Sequence, residues 1–286
     1  MVIPNVLSIA GTDPSGGAGI QADLKAFSAH GTYGMSAITA VVAQNTRGVR
    51  SFVGLDAALV YDQIAAVFED IRVDAVKIGM VANAEIALAI AKALDRHASC
   101  PVVLDPVMVA KSGHHLLDES AVAALRDELI PRSTVVTPNL PEASVLLGLE
   151  RDISSLEEMR ERVAALRALG PQWLLLKGGH LSGETSLDIL HGERTLEFAA
   201  PRVTTTNTHG TGCTLSASIA ALLPQTGGTP DVVRSVQSAK DYLTEALRHA
   251  DELTVGGGHG PVHHFYAMWN ASTQIAASHE SVGAAS

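Results

Sequence analysis

Residues 207–214 of this chain, Asn-Thr-His-Gly-Thr-Gly-Cys-Thr, place glycines, hydroxyls, a histidine and a thiol directly ahead of an apolar helical pattern. Glycines let successive backbone N–H groups line up, and a helix start adds unpaired donors and the positive end of the helix dipole. That combination suits a phosphate or a negatively charged transition state. The segment is not a Walker A loop, because no Lys-Ser/Thr follows its glycines. A thiol at such a helix start is expected to have a lowered pKa, so Cys213 could act as nucleophile or base, with His209 near enough in sequence to orient it. An ordinary glycine turn before a helix is the plainer reading of the same residues.

A second glycine segment, Gly-Thr-Asp-Pro-Ser-Gly-Gly-Ala-Gly at 11–19, also leads into a helical pattern. It has neither the G-x-G-x-x-G spacing of a dinucleotide site nor the Lys of a P-loop. Asp23 follows about one turn later and can face solvent or a ligand. Lys77, Asp105, Asn139 with Glu142, and Lys177 ahead of Gly178, Gly179 and His180 each stand where an apolar run ends. Ligands of open α/β sheets sit beyond such strand ends. Any one of these residues could be punctuation, since Asp and Asn cap helices and start turns. The series together points to an enzyme, and its Lys, Asp and Glu suit phosphoryl transfer better than a Cys–His hydrolase. Among the twelve histidines, His259, His263 and His264 flank Gly260-Pro261, and His114-His115 form an adjacent pair. No Cys/His set has zinc spacing. Cys100, before Pro101, reads as packing.

The elements that must position these groups alternate along the chain. Apolar runs predict strands at 6–9, 36–43, 49–55, 75–78, 102–104, 134–136 and 173–176, with a hairpin over 186–190 and 195–198. Helical spacing predicts helices at 19–29, 59–71, 84–96, 119–129, 142–147, 156–169, 213–222 and 232–249. Repeated βα units imply an α/β fold with a mainly parallel sheet covered on both faces. Residues 270–286, rich in Ala and Ser, are expected to be a frayed or disordered tail behind one domain over 1–269.

Composition narrows the function further. The chain has 286 residues, 47% hydrophobic and 17% charged, with 30 acids against 20 Lys plus Arg and a net charge of −10. Such a balance excludes a nucleic-acid coat, which needs positive charge to neutralise phosphates. No apolar run reaches the roughly 20 residues of a membrane span. Two distant cysteines make no disulfide framework and suit a reducing cytoplasm.

These motifs carry a family likeness. IAGTDPSGGAGIQADLKAFSAHGTYG from Ile9, TAVVAQNTRGV from Thr39, KIGM from Lys77, VVLDPVMVAKSG from Val102, TPNLPEA from Thr137, LLLKGGH from Leu174, NTHGTGCTLSA from Asn207 and GPVHHF from Gly260 follow in order. Together they span about residues 5–269. In them the chain resembles the hydroxymethylpyrimidine/phosphomethylpyrimidine kinases, the thiamine-biosynthesis members of the ribokinase-like superfamily. The resemblance implies a three-layer αβα sandwich with a central, mainly parallel sheet and no large lid domain. It implies ATP-dependent phosphorylation of 4-amino-5-hydroxymethyl-2-methylpyrimidine, then of its monophosphate. Mg2+, and a monovalent cation, would assist, in a cytoplasmic homodimer with no nucleic-acid or membrane partner.

By the same resemblance, Gln44, Gly11, Asp23, Met80 and Val107 would hold the pyrimidine. Asp105 and Glu142 would bind Mg2+, in part through water. Lys177, Asn139, Thr208 and Lys240 would meet the nucleotide, although Lys240 could equally be on a solvated helix face. Gly210, Thr211, Gly212 and Cys213 would form the anion hole. Sugar kinases of the superfamily carry a catalytic Asp where this chain has Cys213, which leaves open whether the thiol takes a proton or only shapes the hole. As a base, it would matter more to the first phosphorylation than to the second, whose nucleophile is already a phosphate oxygen. The rival readings are a pyridoxal or pyridoxine kinase, a non-catalytic pyrimidine-binding regulatory module, and a thiol hydrolase.

Overall fold

Runs that are apolar at every position need cover on both sides, and they form the centre of one sheet. The computed structural model describes residues 2–108 and 117–269. The strands are β1 (Asn5–Ala10), β2 (Tyr33–Ile38), β3 (Ala40–Asn45), β4 (Gly48–Gly54), β5 (Ala75–Ile78), β6 (Val102–Leu104), β7 (Val135–Val136), β8 (Trp173–Lys177), β9 (Thr185–His191) and β10 (Thr195–Pro201). The helices are α1 (Gly19–Ala29), α2 (Ala57–Asp70), α3 (Ala84–His97), α4 (Glu119–Ala124), α5 (Leu140–Leu146), α6 (Leu156–Arg167), α7 (Thr211–Leu222) and α8 (Val232–Arg248).

Eight strands pair in the order β10-β9-β8-β7-β6-β5-β1-β2. They run parallel from β2 to β8, and the β9–β10 hairpin adds an antiparallel edge. Alternate side chains of each strand enter opposite cores. Leu7, Ile9, Val76, Ile78, Leu104, Leu174 and Leu176 pack in a cluster with residues of α2 to α6. Val6, Ala75, Val103, Val135, Leu175 and Leu190 pack with α1, α7 and α8. Each fully buried Leu or Ile contributes about 1.5–3 kcal/mol relative to exposure. The expected three-layer α/β sandwich is therefore present, and among the described residues no large lid interrupts it. Among the described residues, no helix is long and apolar enough to cross a membrane.

Two expected elements differ. The strand expected over 36–43 is divided at Thr39 between two sheets. β1 ends at Ala10, so beyond Ile38 the chain loses its neighbour in the main sheet and pairs with β4 instead. Thr39 anchors the crossing: its N–H donates to Ala10 O, its hydroxyl to Met80 O, and its carbonyl accepts from Leu55 N. The helix expected over 119–129 keeps α-geometry only to Ala124, then widens into a π turn over Leu125–Leu129 and tightens over Ile130–Arg132. Pro131 has no N–H to donate to the carbonyl four residues back, and the helix ends there. The expected tail at 270–286 and the His114-His115 pair lie outside the described residues.

Candidate active site

The anion loop takes its shape from contact with the other glycine loop. Gly210 is the N-cap of α7 in the left-handed region, φ 79°. A Cβ there would overlap the carbonyl of Gly17, and one on Gly17 would strike the His209 ring. Glycine is thus required both for conformation and for close approach. Among the described residues no side chain caps α7, so the first-turn N–H groups of Gly212 and Cys213 are available to an anion at the positive end of the helix dipole.

Strand ends bring the charged groups to this loop. Lys177 Nζ pairs with Asp105 Oδ1 at 2.8 Å. A Cβ on Gly212 would lie 3.3 Å from both Asp105 Oδ2 and Lys177 Nζ, so the pair stands against the helix start. Burial raises the Asp105 pKa, but Lys177 and Lys77, with the Thr137 hydroxyl, outweigh it and hold the carboxyl ionised. Burial lowers the Lys177 pKa, and Asp105 and Glu142 more than restore it. Asn139 and Glu142 form a capping box on α5, each side chain bonding the other's backbone N–H at 2.9 and 2.8 Å. Burial pushes Glu142 up to about 7 despite Lys177.

Beneath these groups lies an ion pair with no exposure at all. Lys77 Nζ meets Asp23 Oδ2 at 2.8 Å, and Ser8 Oγ donates to the same oxygen at 2.6 Å. Asp23 Oδ1 is buried without a partner among the described residues. Burial raises the Asp23 pKa, with Lys77 opposing. Asp23 thus reaches the floor of the site with one oxygen committed to Lys77 and Ser8, rather than facing solvent.

The short β3–β4 sheet forms the opposite wall. Ala40, Val42 and Met80 cluster with Val49, Phe52, Ala82 and Val107. A Cβ on Gly11 would lie 3.2 Å from Met80 Sδ. The β3–β4 register shifts between Ala43 and Gln44. Such an irregularity re-aims a side chain, and Gln44 is half-buried just beyond it. Gly11, Met80, Val107 and Gln44 therefore share one side of the site, and Asp105, Lys177, Asn139, Glu142 and the 208–213 loop share the other.

Three expectations need correction. Cys213 does not have a lowered pKa: burial pushes its thiol up to about 11, outweighing the lowering by Lys77. His209 does not orient it, since its Nε2 lies 2.8 Å from Asp13 Oδ2. Lys240 is not on a solvated face; its amino group is buried on Asp188 at 2.6 Å. Asp188 also accepts from Gly178 N, so Lys240 braces the loop after β8. Sequence reasoning placed Asp13 in the polar series at strand ends without a role of its own, and assigned nothing to Asp188. A charged residue between Leu187 and Ile189 in a strand was the available signal for Asp188.

Comparison with known proteins decides the family. The family model described as phosphomethylpyrimidine kinase matches residues 13–263. The chain belongs to the phosphomethylpyrimidine kinase family. The hydroxymethylpyrimidine/phosphomethylpyrimidine kinase of Escherichia coli (strain K12) is 54% identical, covering 93% of this chain and 98% of its own. The crystal structure of phosphomethylpyrimidine kinase from Clostridium difficile 630 is 44% identical with TM-score 0.74, covering 85% of this chain and 99% of its own. An ADP complex of Bacillus subtilis pyridoxal kinase is 34% identical with TM-score 0.83, covering 92% and 98%.

Proposed function

We propose that the chain transfers the γ-phosphoryl group of ATP to the hydroxymethyl oxygen of 4-amino-5-hydroxymethyl-2-methylpyrimidine. It then transfers a second to the monophosphate, supplying the pyrimidine half of thiamine. The observation that carries this reading is the meeting of Gly212 with Asp105 and Lys177 at the uncapped start of α7. Phosphoryl transfer through a loose transition state is chiefly positioning and charge stabilisation. N–H groups at 212 and 213 face the equatorial oxygens, Lys177 offsets phosphate charge, and Gln44 reads the ring through a donor and an acceptor. Met80, Val107 and Gly11 hold the ring's apolar parts. In the first transfer, the new O–P bond forms as the bond from the γ-phosphorus to the ADP oxygen breaks, and the hydroxyl proton passes to water as the ester forms. In the second, the attacking phosphate oxygen carries no proton that must be removed.

Asp105 and Glu142 fit magnesium. Mg2+ takes one or two carboxylates and fills its shell with water and phosphate oxygens. Among the described residues, no three His, Cys, Asp or Glu side chains converge into a protein-only cage. When bound, the ion would neutralise charge on the nucleotide phosphates. Asn139 and Thr208 border the same side and are assigned to the nucleotide, while Lys240 acts through Asp188 and Gly178. Cytoplasmic residence accords with the free thiols of Cys100 and Cys213. Homodimerisation accords with Val41 and Val53 exposed on the outer face of β3–β4.

The test is ADP formation with the hydroxymethylpyrimidine, its monophosphate and pyridoxine, with and without Mg2+ and K+. Diphosphate formation with little turnover of pyridoxine is expected. Turnover of the monophosphate by none of the preparations would reduce the enzyme to a single-step kinase, and no turnover of either pyrimidine would overturn the reading. Pyridoxine is the control because the pyridoxal kinase shares the fold so fully.

A further inference from the structure

Asp13, in the 11–19 loop, takes no part in the transfer chemistry above, yet its side chain is fully buried. Oδ1 accepts from Ser15 N at 2.8 Å and Ser15 Oγ at 2.7 Å. Oδ2 accepts from Gly17 N at 3.0 Å and Ala18 N at 2.7 Å. These bonds close the loop on itself ahead of α1. One further contact leaves the loop: Oδ2 lies 2.8 Å from His209 Nε2, across 196 positions of sequence. Burial opposes the charge on Asp13, but His209 and Ser15 hold its pKa well below the usual carboxylate range. An ionised carboxylate only accepts, so Nε2 carries the hydrogen whether the imidazole is neutral or charged.

His209 immediately precedes Gly210, the N-cap of α7. A capping side chain at 210 would hold the helix start by occupying N–H groups that an anion needs. Glycine leaves those groups free and offers no side-chain hold, so the hold comes from one residue earlier. The His209 ring is bonded to Asp13, its backbone N–H donates to Gly260 O at 2.9 Å, and a Cβ on Gly17 would strike the ring. Gly17, whose N–H Asp13 also accepts, is the residue whose carbonyl packs on Gly210. One carboxylate thus fixes both the ring ahead of the N-cap and the backbone on which the N-cap rests.

We propose that Asp13 and His209 are positioning residues that hold the anion loop in its transfer geometry, the carboxylate of one loop fixing, through the Nε2–H of the other, the backbone that leads into the N–H groups of Gly212 and Cys213. The inference rests on the assignment of those N–H groups to the transferring phosphoryl group made above. Interactions made only in the transition state act on kcat and leave KM unmoved. Both transfers use the same hole, so both should respond.

The experiment measures kcat and KM for ATP and for each pyrimidine. It uses the full chain as wild type, His209→Gln, His209→Leu, Asp13→Asn, and Asp13→Asn combined with His209→Leu. Glutamine brings an amide N–H at a reach similar to that of Nε2, and leucine brings none. A misplacement of about 1 Å can cost about a hundredfold, so His209→Leu is expected to lower kcat about tenfold to a hundredfold in both transfers, with each KM within about threefold of wild type. His209→Gln is expected to recover most of that loss, and the double variant to lose less than the product of the two single losses. A wild-type kcat in His209→Leu, a loss that glutamine does not recover, or single losses that multiply would each overturn the inference and leave the anion-loop assignment standing. So would raised KM values at unchanged kcat, which would place His209 in substrate binding. No turnover of either pyrimidine by the wild type overturns that assignment and the inference with it.

Should His209→Leu or Asp13→Asn not fold, proton NMR of the wild type decides instead. The His209 Nε2–H is expected as a slowly exchanging imidazole signal, assigned by its loss in His209→Gln. Fast exchange of that proton with water overturns the inference.

Discussion

At the start of α7 the Cys213 thiol feels two opposed influences. The helix end and Lys77 favour the thiolate; burial and the carboxylates of Asp23 and Asp105 oppose it and win, leaving a pKa of about 11. At neutral pH the group is a thiol, which donates weakly and cannot readily take a proton. Cys213→Ala is therefore expected to slow both phosphorylations by a similar factor, about tenfold to a hundredfold, the scale of losing one weak donor to a charged transition state. The two steps are to be assayed separately. A loss confined to the first would show that the thiol accepts the substrate proton after all. Glu142 makes a second case. Between its ordinary 4.5 and about 7, the folded chain keeps a proton that the unfolded chain has released. Its contribution to stability therefore falls as pH rises through that window. Glu142→Gln keeps the capping box and should flatten that part of the curve in urea unfolding from about pH 5 to pH 8. The variant should also lose the rise in Mg2+ affinity across neutral pH, since a metal ligand must be deprotonated. Residues such as Asp105 and Lys177 were legible because strand ends announce them. Asp23 with Lys77, and Asp13 with His209, were not, because only folding brings positions so distant in sequence into contact.

Among the elements, β8, β9 and α8 are tied by one buried pair. Lys240 and Asp188 are 6% and 7% exposed, and breaking such a pair strands the remaining charge. Lys240→Ala should cost about 3–5 kcal/mol and displace the Gly178 loop, since Asp188 also holds Gly178 N. Replacing both partners with apolar residues should recover much of that loss in urea unfolding. A Lys240→Ala protein as stable as wild type, with a higher KM for ATP, would assign Lys240 to the nucleotide directly. Periodicity placed α8 well because a long amphipathic stripe outlasts local ambiguity. It could not see that Lys240 points inward, for a long charged side chain is ordinarily solvated. Nor could it divide residues 33–45, because alternation persists across Thr39 while the hydrogen-bonding partner changes.

For the whole molecule, the returning segment after Gly256 closes the site from behind. His209 N donates to Gly260 O at 2.9 Å, and Gly260 N donates to Asn207 Oδ1 at 3.1 Å. The Thr214 hydroxyl lies 3.0 Å from His264 Nε2, and burial pushes that imidazole down to about 3, so it stays neutral. A chain ended at residue 258 should melt about 5 °C lower or more and turn over at least tenfold more slowly. An unchanged melting curve would show that the anion loop needs no support from this segment. The α/β class and the order of layers were readable from alternation alone, whereas this closure joins distant loops that carry no periodic signal.

Gln44, which we assign to the ring, rides on the separate β3–β4 sheet, while Lys77, Asp105 and Lys177 stand in or at the ends of strands of the main sheet. The small sheet is joined to the rest through bonds at Thr12, Thr39 and Thr46. Inheritance can therefore act on the two parts at different rates. A duplicated gene can explore new heterocycles by substitutions within residues 40–54 while its transfer machinery stays under separate selection.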